Sequence, residues 1–187
     1  GRCLFLTASD IQIVLARHYF DIRRDAIFLN THHGPSLGES DMVIVRPSGW
    51  VIEVEVKVSL SDFKADLEKG KNRGHDVGKH DRLALGNPKR VRPDGSWQDV
   101  LDVDDRQPHT CRNFWFAVPL DLLEKVKPQL PLHAGLLGVS HNKVVESAAA
   151  PNLKAGKIKP ETLLNLYRSM YFKHWHRLFS DYHARLR

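Results

Sequence analysis

Residues 38–59, GESDMVIVRPSGWVIEVEVKVS, leave a folding chain few choices. Two apolar, β-branched runs are split by RPSG, and short runs of this kind on either side of a Pro/Gly turn predict a β-hairpin. Strand side chains alternate between faces, so Ile52, Val54, Val56 and Val58 share one face while Glu53, Glu55 and Lys57 share the other. In the first strand Met42 and Ile44 point one way and Asp41 the other. With the turn centred on Gly49, Asp41 falls opposite Lys57 and Glu55 is its diagonal neighbour, roughly 7–8 Å away at the backbone. A slip of one residue would instead turn Asp41 onto the valine face.

Helices and strands alternate around this hairpin. In ASDIQIVLARHYF, residues 8–20, Ile11, Leu15 and Tyr19 recur at helical spacing, with Ser9 or Asp10 as the cap. DAIFLNT, residues 25–31, predicts a short strand. SLSDFKADLEKG predicts a helix over 61–69 with Ser61 as its cap, Phe63 and Leu67 on one face, and Lys64 where a capping box would want glutamate. NFWFAVP, residues 113–119, predicts a central strand, DLLEKV a short helix, and GLLGVSHNKVVES two short strands turning at His141-Asn142. The segment after Pro160 predicts a long helix with an apolar stripe of Leu163, Tyr167, Met170, Tyr171, Leu178, Tyr182 and Leu186. The expected fold class is α/β, a mixed central sheet flanked by helices. Residues 1–150 form the domain, with an insertion at about 84–112. Residues 151–187 are a linker and a C-terminal helix packed on the core or on a partner.

A chain of 187 residues suffices for one domain with a hydrophobic core. No apolar run approaches the roughly 18 residues of a membrane span, so no membrane partner is expected. Cys3 and Cys111 lie far apart without metal-ligand spacing, which fits a reducing compartment and predicts a cytoplasmic location. The formal charge of +6 is unevenly spread. Residues 57–92 carry ten Lys/Arg against five Asp/Glu, residues 154–187 eight against two, and DGSWQDVLDVDD five acids with no base. Such basic zones either keep a surface soluble or meet a polyanion such as nucleic acid.

Charges inside a core strand need a reason. Asp41 and Glu55 converging on one face repel each other, and a hard divalent cation would resolve the repulsion. Magnesium takes oxygen ligands, usually one or two carboxylates, and completes its shell with water and substrate phosphate. Asp41 and Glu55 fit that role, with the Val56 carbonyl a candidate third ligand and manganese an expected substitute. Lys57 beside them can hold an attacking water or steady the charge developing on phosphorus. The D-x13-E-x-K set therefore reads as equipment for phosphodiester hydrolysis.

This arrangement resembles the PD-(D/E)xK superfamily of restriction-endonuclease-like nucleases, whose order is a helix, a three-stranded meander bearing the motif, a helix and a further strand. Ser40 stands where that motif most often has proline. The resemblance implies that Asp41 and Glu55 bind the metal, that Lys57 is the catalytic group, and that a DNA endonuclease leaves a 5′-phosphate. EVKVSLSDFKAD, HDRL and NFWFAVP are more closely similar to the MmcB-like DNA-repair proteins and related phage-type nucleases, although residues 84–112 intervene before the last strand. By this resemblance the protein would act in a bacterial or phage-host cytoplasm. One chain carries one triad, so cutting both strands implies a homodimer while nicking does not.

Lys69, Lys71 and Arg73, amid glycines after the motif helix, suit backbone phosphates, as do Lys89, Arg90 and Arg92 in the insertion. Lys79 and Arg82 are further candidate phosphate contacts. Trp97 could stack on a base or be buried. Glu53, Glu39, Asp10 and Gln12 are open candidates to assist the site, and His32 or His33 could touch phosphate. Asp62 and Asp66 read as capping or solvated residues of their helix. His174, Trp175, His176 and Arg177 lack the acid or cysteine companions of a zinc site. GKNRGHDVGKH lacks the spacing of a nucleotide-triphosphate loop, so no ATP requirement is expected. Three alternatives stand beside the nuclease: a nucleic-acid-binding module of the same fold with weak or no catalysis, a structural or interaction protein driven by the C-terminal helix, and an exposed ionic cluster on an edge hairpin.

Overall fold

The computed structural model of the protein describes residues 6–34, 38–68, 80, 83 and 111–185, with 32–34 and 38 described by their backbone. The first helix, α1, spans Ala8–His18. Its cap is Thr7 and not Ser9 or Asp10. The Thr7 hydroxyl accepts from the Asp10 N–H at 3.2 Å and the Asp10 carboxylate accepts from the Thr7 N–H at 2.9 Å. This reciprocal pair satisfies two orphan donors, which is why the helix starts where it does.

Among the described residues six strands follow in one sheet: β1 Ala26–Gly34, β2 Gly38–Val45, β3 Val51–Val56, β4 Asn113–Pro119, β5 Ala134–Ser140 and β6 Lys143–Ala148. Their spatial order is the chain order. β1–β2–β3 is an antiparallel meander, β3–β4–β5 runs parallel, and β6 returns antiparallel beside β5 after the turn at His141 and Asn142. The expected strand over 113–119 is present with those bounds, whereas β1 runs further than 31.

Parallel strands need crossovers. Helix α2, Leu60–Glu68, leaves β3, and α3, Leu123–Val126, joins β4 to β5 between two short 3-10 turns. Ser59, rather than Ser61, caps α2: its hydroxyl accepts from the Asp62 N–H at 3.1 Å. α2 and α3 cover one sheet face, where Phe63, Leu123 and Val126 meet Val43, Val51, Phe114, Phe116 and Val118. α1 covers the other, placing Ile11, Val14 and Leu15 against Met42, Ile44, Ile52, Val54, Val56 and Trp115.

The last helix, α4, Pro160–Arg185, joins the first of these cores through Leu166, with Leu163 packed against it and Tyr167 edge-on to Phe28. Of the two docking alternatives, its first turns take the core. The expected apolar stripe does not continue as a buried one: every residue from Met170 to Arg185 is exposed, His174, Trp175, His176 and Arg177 among them. No described helix is long and apolar enough to cross a membrane. Residues 84–110 of the expected insertion lie outside the described residues.

Strand β3 is thus interior, with β2 on one side and β4 on the other, and its residues Val51–Val56 are all buried. Strands covered on both faces are normally continuous apolar runs. Glu53 and Glu55 break that rule in the middle of the molecule, which overturns the reading of an exposed cluster on an edge hairpin.

Candidate active site

The β2–β3 ladder ends at Met42 opposite Val54. Continuing that register by one residue sets Asp41 opposite Glu55, and not opposite Lys57 as the turn-centred alignment has it. The turn is the reason. The Gly49 N–H donates to the Arg46 carbonyl at 2.8 Å and Arg46 N–H to the Trp50 carbonyl at 2.9 Å, with Gly49 at φ 84. A type I turn closed by a left-handed residue makes a three-residue loop, centred on Ser48. Moving the centre by one residue moves every partner by two, and a two-residue shift keeps the face. Asp41 and Glu55 therefore meet directly instead of diagonally.

The Asp41 carboxylate accepts a hydrogen bond from the Val56 N–H at 2.7 Å. A side chain thus takes the place a strand carbonyl would hold, and the ladder stops there. In a strand, the N–H and C=O of one residue leave the same edge, so the Val56 carbonyl points to the side of Asp41. From the opposite face Gln12 of α1 clamps the same corner. Its amide donates to the Asp41 carbonyl and to the Asn30 side-chain oxygen, both at 2.9 Å. Asn30 has φ 50, a left-handed conformation that asparagine tolerates. Of the two candidates on α1, Gln12 serves the site through the Asp41 backbone. Asp10 is engaged at the helix start with Thr7, whose hydrogen bonds hold its carboxyl below the usual range.

Burial drives the electrostatics. The Asp41 carboxyl is pushed up to about 6 by its removal from water, then by the charge of Glu55. The Val56 N–H and Lys57 oppose the shift. Glu55 is 7% exposed and Lys57 5%. Burial works to strip the proton from Lys57, but Glu55, Asp66, Asp62 and Asp41 outweigh it and hold the ammonium above its ordinary range. The Lys57 Nζ lies 3.5 Å from Glu55 Oε2 and 3.3 Å from Asp66 Oδ1.

Glu53 sits two residues deeper on the same face, fully buried opposite Val43, with the Ser40 hydroxyl donating to it at 3.3 Å. It belongs to the interior of that face and not to its open end. Glu39 is exposed.

Sequence reasoning missed three members of this face. Asp66 is neither a cap nor solvated: it is buried and bonded to Lys57 and to His80 Nε2, the latter at 2.8 Å. Its burial disfavours the charge, yet the His80 hydrogen bond and the Lys57 charge hold the carboxyl well below the usual range. His80 stacks on Phe116, and its Nδ1 lies 3.1 Å from Nε2 of the buried His133. One signal was available for Asp66. It lies three residues after Phe63, on the face of α2 that meets the sheet. His80 and His133 come from distant segments and carry no such periodicity.

Asp41, Glu55 and the Val56 carbonyl are oxygen donors gathered at one corner, a donor chemistry suited to a hard divalent cation. Among the described residues no three His, Cys, Asp or Glu side chains converge as a metal cage. Two carboxylates and a carbonyl would leave positions for water and substrate, as magnesium sites usually do. Lys69, Lys71, Arg73, Lys79, Arg82, Lys89, Arg90 and Arg92 lie outside the described residues, as do Trp97 and the side chains of His32 and His33.

No protein-family model matches the sequence, and a comparison with curated proteins likewise gives no match. Among solved structures the chain is similar to SPO1766, a protein of unknown function from Silicibacter pomeroyi. The identity is 18% with a TM-score of 0.53, over 94% of this chain and 91% of that one. The likeness extends along nearly the whole fold and concerns the fold alone.

Proposed function

We propose that the protein is a divalent-metal-dependent deoxyribonuclease of the PD-(D/E)xK kind. One observation carries the reading. Asp41 and Glu55 face each other where an interior hairpin stops pairing, and the Lys57 ammonium is buried beside them. A carboxyl driven up by burial and a neighbouring anion ionises more readily with a cation bound beside it, and perturbed groups of this sort concentrate at functional sites.

Asp41, Glu55 and the Val56 carbonyl would hold magnesium, or manganese in its place, and the bound ion would supply a polarised phosphate and a water of lowered pKa. Lys57, held as an ammonium, serves as a fixed cation. It is placed to hold the attacking water or to steady negative charge building on the phosphate oxygens. Water adds to phosphorus in line with the P–O3′ bond that breaks. A 5′-phosphate remains, and the departing 3′-oxygen takes up a proton. Lys69, Lys71, Arg73, Lys79, Arg82, Lys89, Arg90 and Arg92 are the proposed contacts to the DNA backbone, giving affinity without base choice. Cutting both strands in one encounter would use a homodimer, in a cytoplasmic setting and without nucleotide triphosphate.

The test is cleavage of plasmid, branched, single-stranded DNA and RNA in magnesium, manganese, calcium or chelator, with Asp41→Asn and Glu55→Gln as controls. Metal-dependent cleavage lost in both variants is expected. Resistance of every substrate by a protein that binds metal and DNA would favour the binding module without catalysis. Absence of metal binding would overturn the proposal.

A further inference from the structure

Behind Lys57 the hydrogen bonding continues through three side chains that come from separate parts of the chain. Asp66 spends one oxygen on Lys57 Nζ at 3.3 Å and the other on His80 Nε2 at 2.8 Å. His80 Nδ1 then meets His133 Nε2 at 3.1 Å. The two rings are held by aromatic neighbours: His80 stacks on Phe116 at 5.6 Å and 27° and stands edge-on to Phe114, which also touches His133. Asp66 and His133 are both buried.

The protons in this chain are constrained by chemistry alone. An ionised carboxylate only accepts, so His80 Nε2 carries a hydrogen. One proton must lie between His80 Nδ1 and His133 Nε2, because two lone pairs or two N–H groups facing each other at that distance repel. Two fully protonated rings are thereby excluded, and the pair holds at most one positive charge. With His80 fixed as a donor, Asp66 cannot rotate away from Lys57 without losing a bond on its other oxygen.

We propose that Asp66, His80 and His133 form a buried positioning relay that aims the Lys57 ammonium at the scissile phosphate. Asp66 is the positioning residue in contact with Lys57, and His80 and His133 act through it. Without Asp66, Glu55 is the carboxylate left within ion-pair distance of Lys57, and the ammonium could follow that side chain toward the metal corner. The second carboxylate, anchored on α2 and braced by two rings, fixes its distance from that corner. Groups that orient a reacting group from behind commonly change rate by roughly 10–100-fold when removed.

This inference rests on the nuclease reading for its kinetic consequence, but its geometry can be tested without cleavage. A lysine ammonium buried between two carboxylates exchanges its protons slowly and gives a resolved proton–nitrogen NMR signal. That signal is expected in the wild type, displaced or lost in Asp66→Asn and in His80→Ala, and recovered in His80→Gln, whose amide nitrogen can replace Nε2 as the donor to Asp66. In cleavage assays Asp66→Asn and His80→Ala should lower kcat by about 10-fold or more while KM for DNA stays within about threefold. His80→Gln should recover most of what His80→Ala loses. A merely structural role would give no such rescue, and circular dichroism of each variant separates misfolding from misplacement. Should Asp66→Asn fail to fold, the His80 pair carries the test. Signal changes as stated in a protein that cleaves nothing would keep the relay and remove the nuclease. Wild-type kcat in folded Asp66→Asn, or equal kcat in His80→Ala and His80→Gln, would overturn the relay and leave the nuclease.

Discussion

At Asp41 two demands conflict. The hydrogen bond from the Val56 N–H favours the ionised carboxylate, while burial and the charge of Glu55 disfavour a second anion, and the carboxyl settles at about 6. A carboxyl whose pKa rises on folding stabilises the native state below its unfolded value of 3.8, and that contribution is lost as pH climbs through about 6. Asp41→Asn keeps an acceptor for Val56 without the charge. The variant should match the wild type near pH 4 and exceed it near pH 7.5, by on the order of 1–2 kcal/mol once the open side of the site is allowed for. Denaturant titrations of both proteins without divalent ion measure this, and a difference that does not grow with pH would clear Asp41 of strain. Added magnesium should then raise the melting temperature of the wild type more than that of the variant, because a ligand stabilises what it binds. Lys57→Ala is harsher. It leaves Glu55 and Asp66 buried without their shared cation, at a cost of roughly 3 kcal/mol. Turnover by the remaining folded protein should fall at least about 100-fold. Near wild-type turnover in purified Lys57→Ala would take lysine out of the mechanism.

Elements of this protein are legible in proportion to how locally they are specified. The hairpin over 38–56, strand β4 and the pair β5–β6 are short apolar runs between turn residues, so their existence follows from pattern alone. Their faces follow too: Glu53, Glu55 and Lys57 do lie together, opposite Ile52, Val54 and Val56. Register did not follow, because it depends on the conformation of one residue, Gly49, rather than on any hydrophobic period. The parallel strands make a sharper demand. On β5 a Cβ at Gly138 would stand 2.4 Å from Leu123 Cδ1 of α3, and one at Gly135 would stand 2.4 Å from the Trp115 ring and 2.6 Å from the Ala150 backbone nitrogen. Leucine side chains can yield and a backbone cannot. Gly138→Ala should therefore cost roughly 1–3 kcal/mol, and Gly135→Ala more, as overpacking does. Chemical unfolding of the two variants would expose an error in the β4–β5 placement if Gly135→Ala proved the milder. The segment after α2 is open to a different measurement. Replacing Lys69, Lys71 and Arg73 with alanine should make log affinity less steep against log salt, by roughly 0.9 for each duplex phosphate that is no longer neutralised. Calcium in place of magnesium would keep the proposed cleavage out of that titration. An unchanged slope would move the proposed phosphate contacts to Lys89, Arg90 and Arg92.

At the scale of the whole molecule, what could not be read from sequence is what joins distant segments. Asp66, His80 and His133 meet on one sheet face although 14 and 53 residues separate the bonded pairs, and Gln12 reaches Asp41 from a helix on the other face. The α/β class and the helix-covered mixed sheet were legible, since they follow from the order of elements. The extent to which α4 belongs to the fold was not, because an amphipathic stripe does not say how much of itself is covered. α4 is 26 residues long, about 39 Å at the usual rise. Its first turns bury Leu166, pack Leu163 and set Tyr167 against Phe28. Lys173 then donates to the carbonyls of Leu29 and Asn30, tying the helix to the strand residue that Gln12 also holds. Past that anchor, among the described residues, the interactions are local to the helix: Arg177 pairs with Asp181 at 3.9 Å, Arg185 donates to the Asp181 carbonyl, and the Trp175 ring meets Phe179. Two truncations should consequently behave differently. Removing residues 177–187 takes away no buried side chain among the described residues and should leave the melting temperature within about 2 °C, the scale of a few tenths of a kcal/mol in a chain this long. Removing residues 160–187 uncovers the pocket of Leu166 and the ring of Phe28, a loss comparable to emptying a core leucine site, roughly 2–5 kcal/mol. Thermal unfolding of the three lengths decides the matter. A large loss from the short truncation would mean that the distal half of α4 is held by contacts beyond its own turns. Equal stability of all three would mean that Leu166 contributes nothing to the core that the fold assigns it.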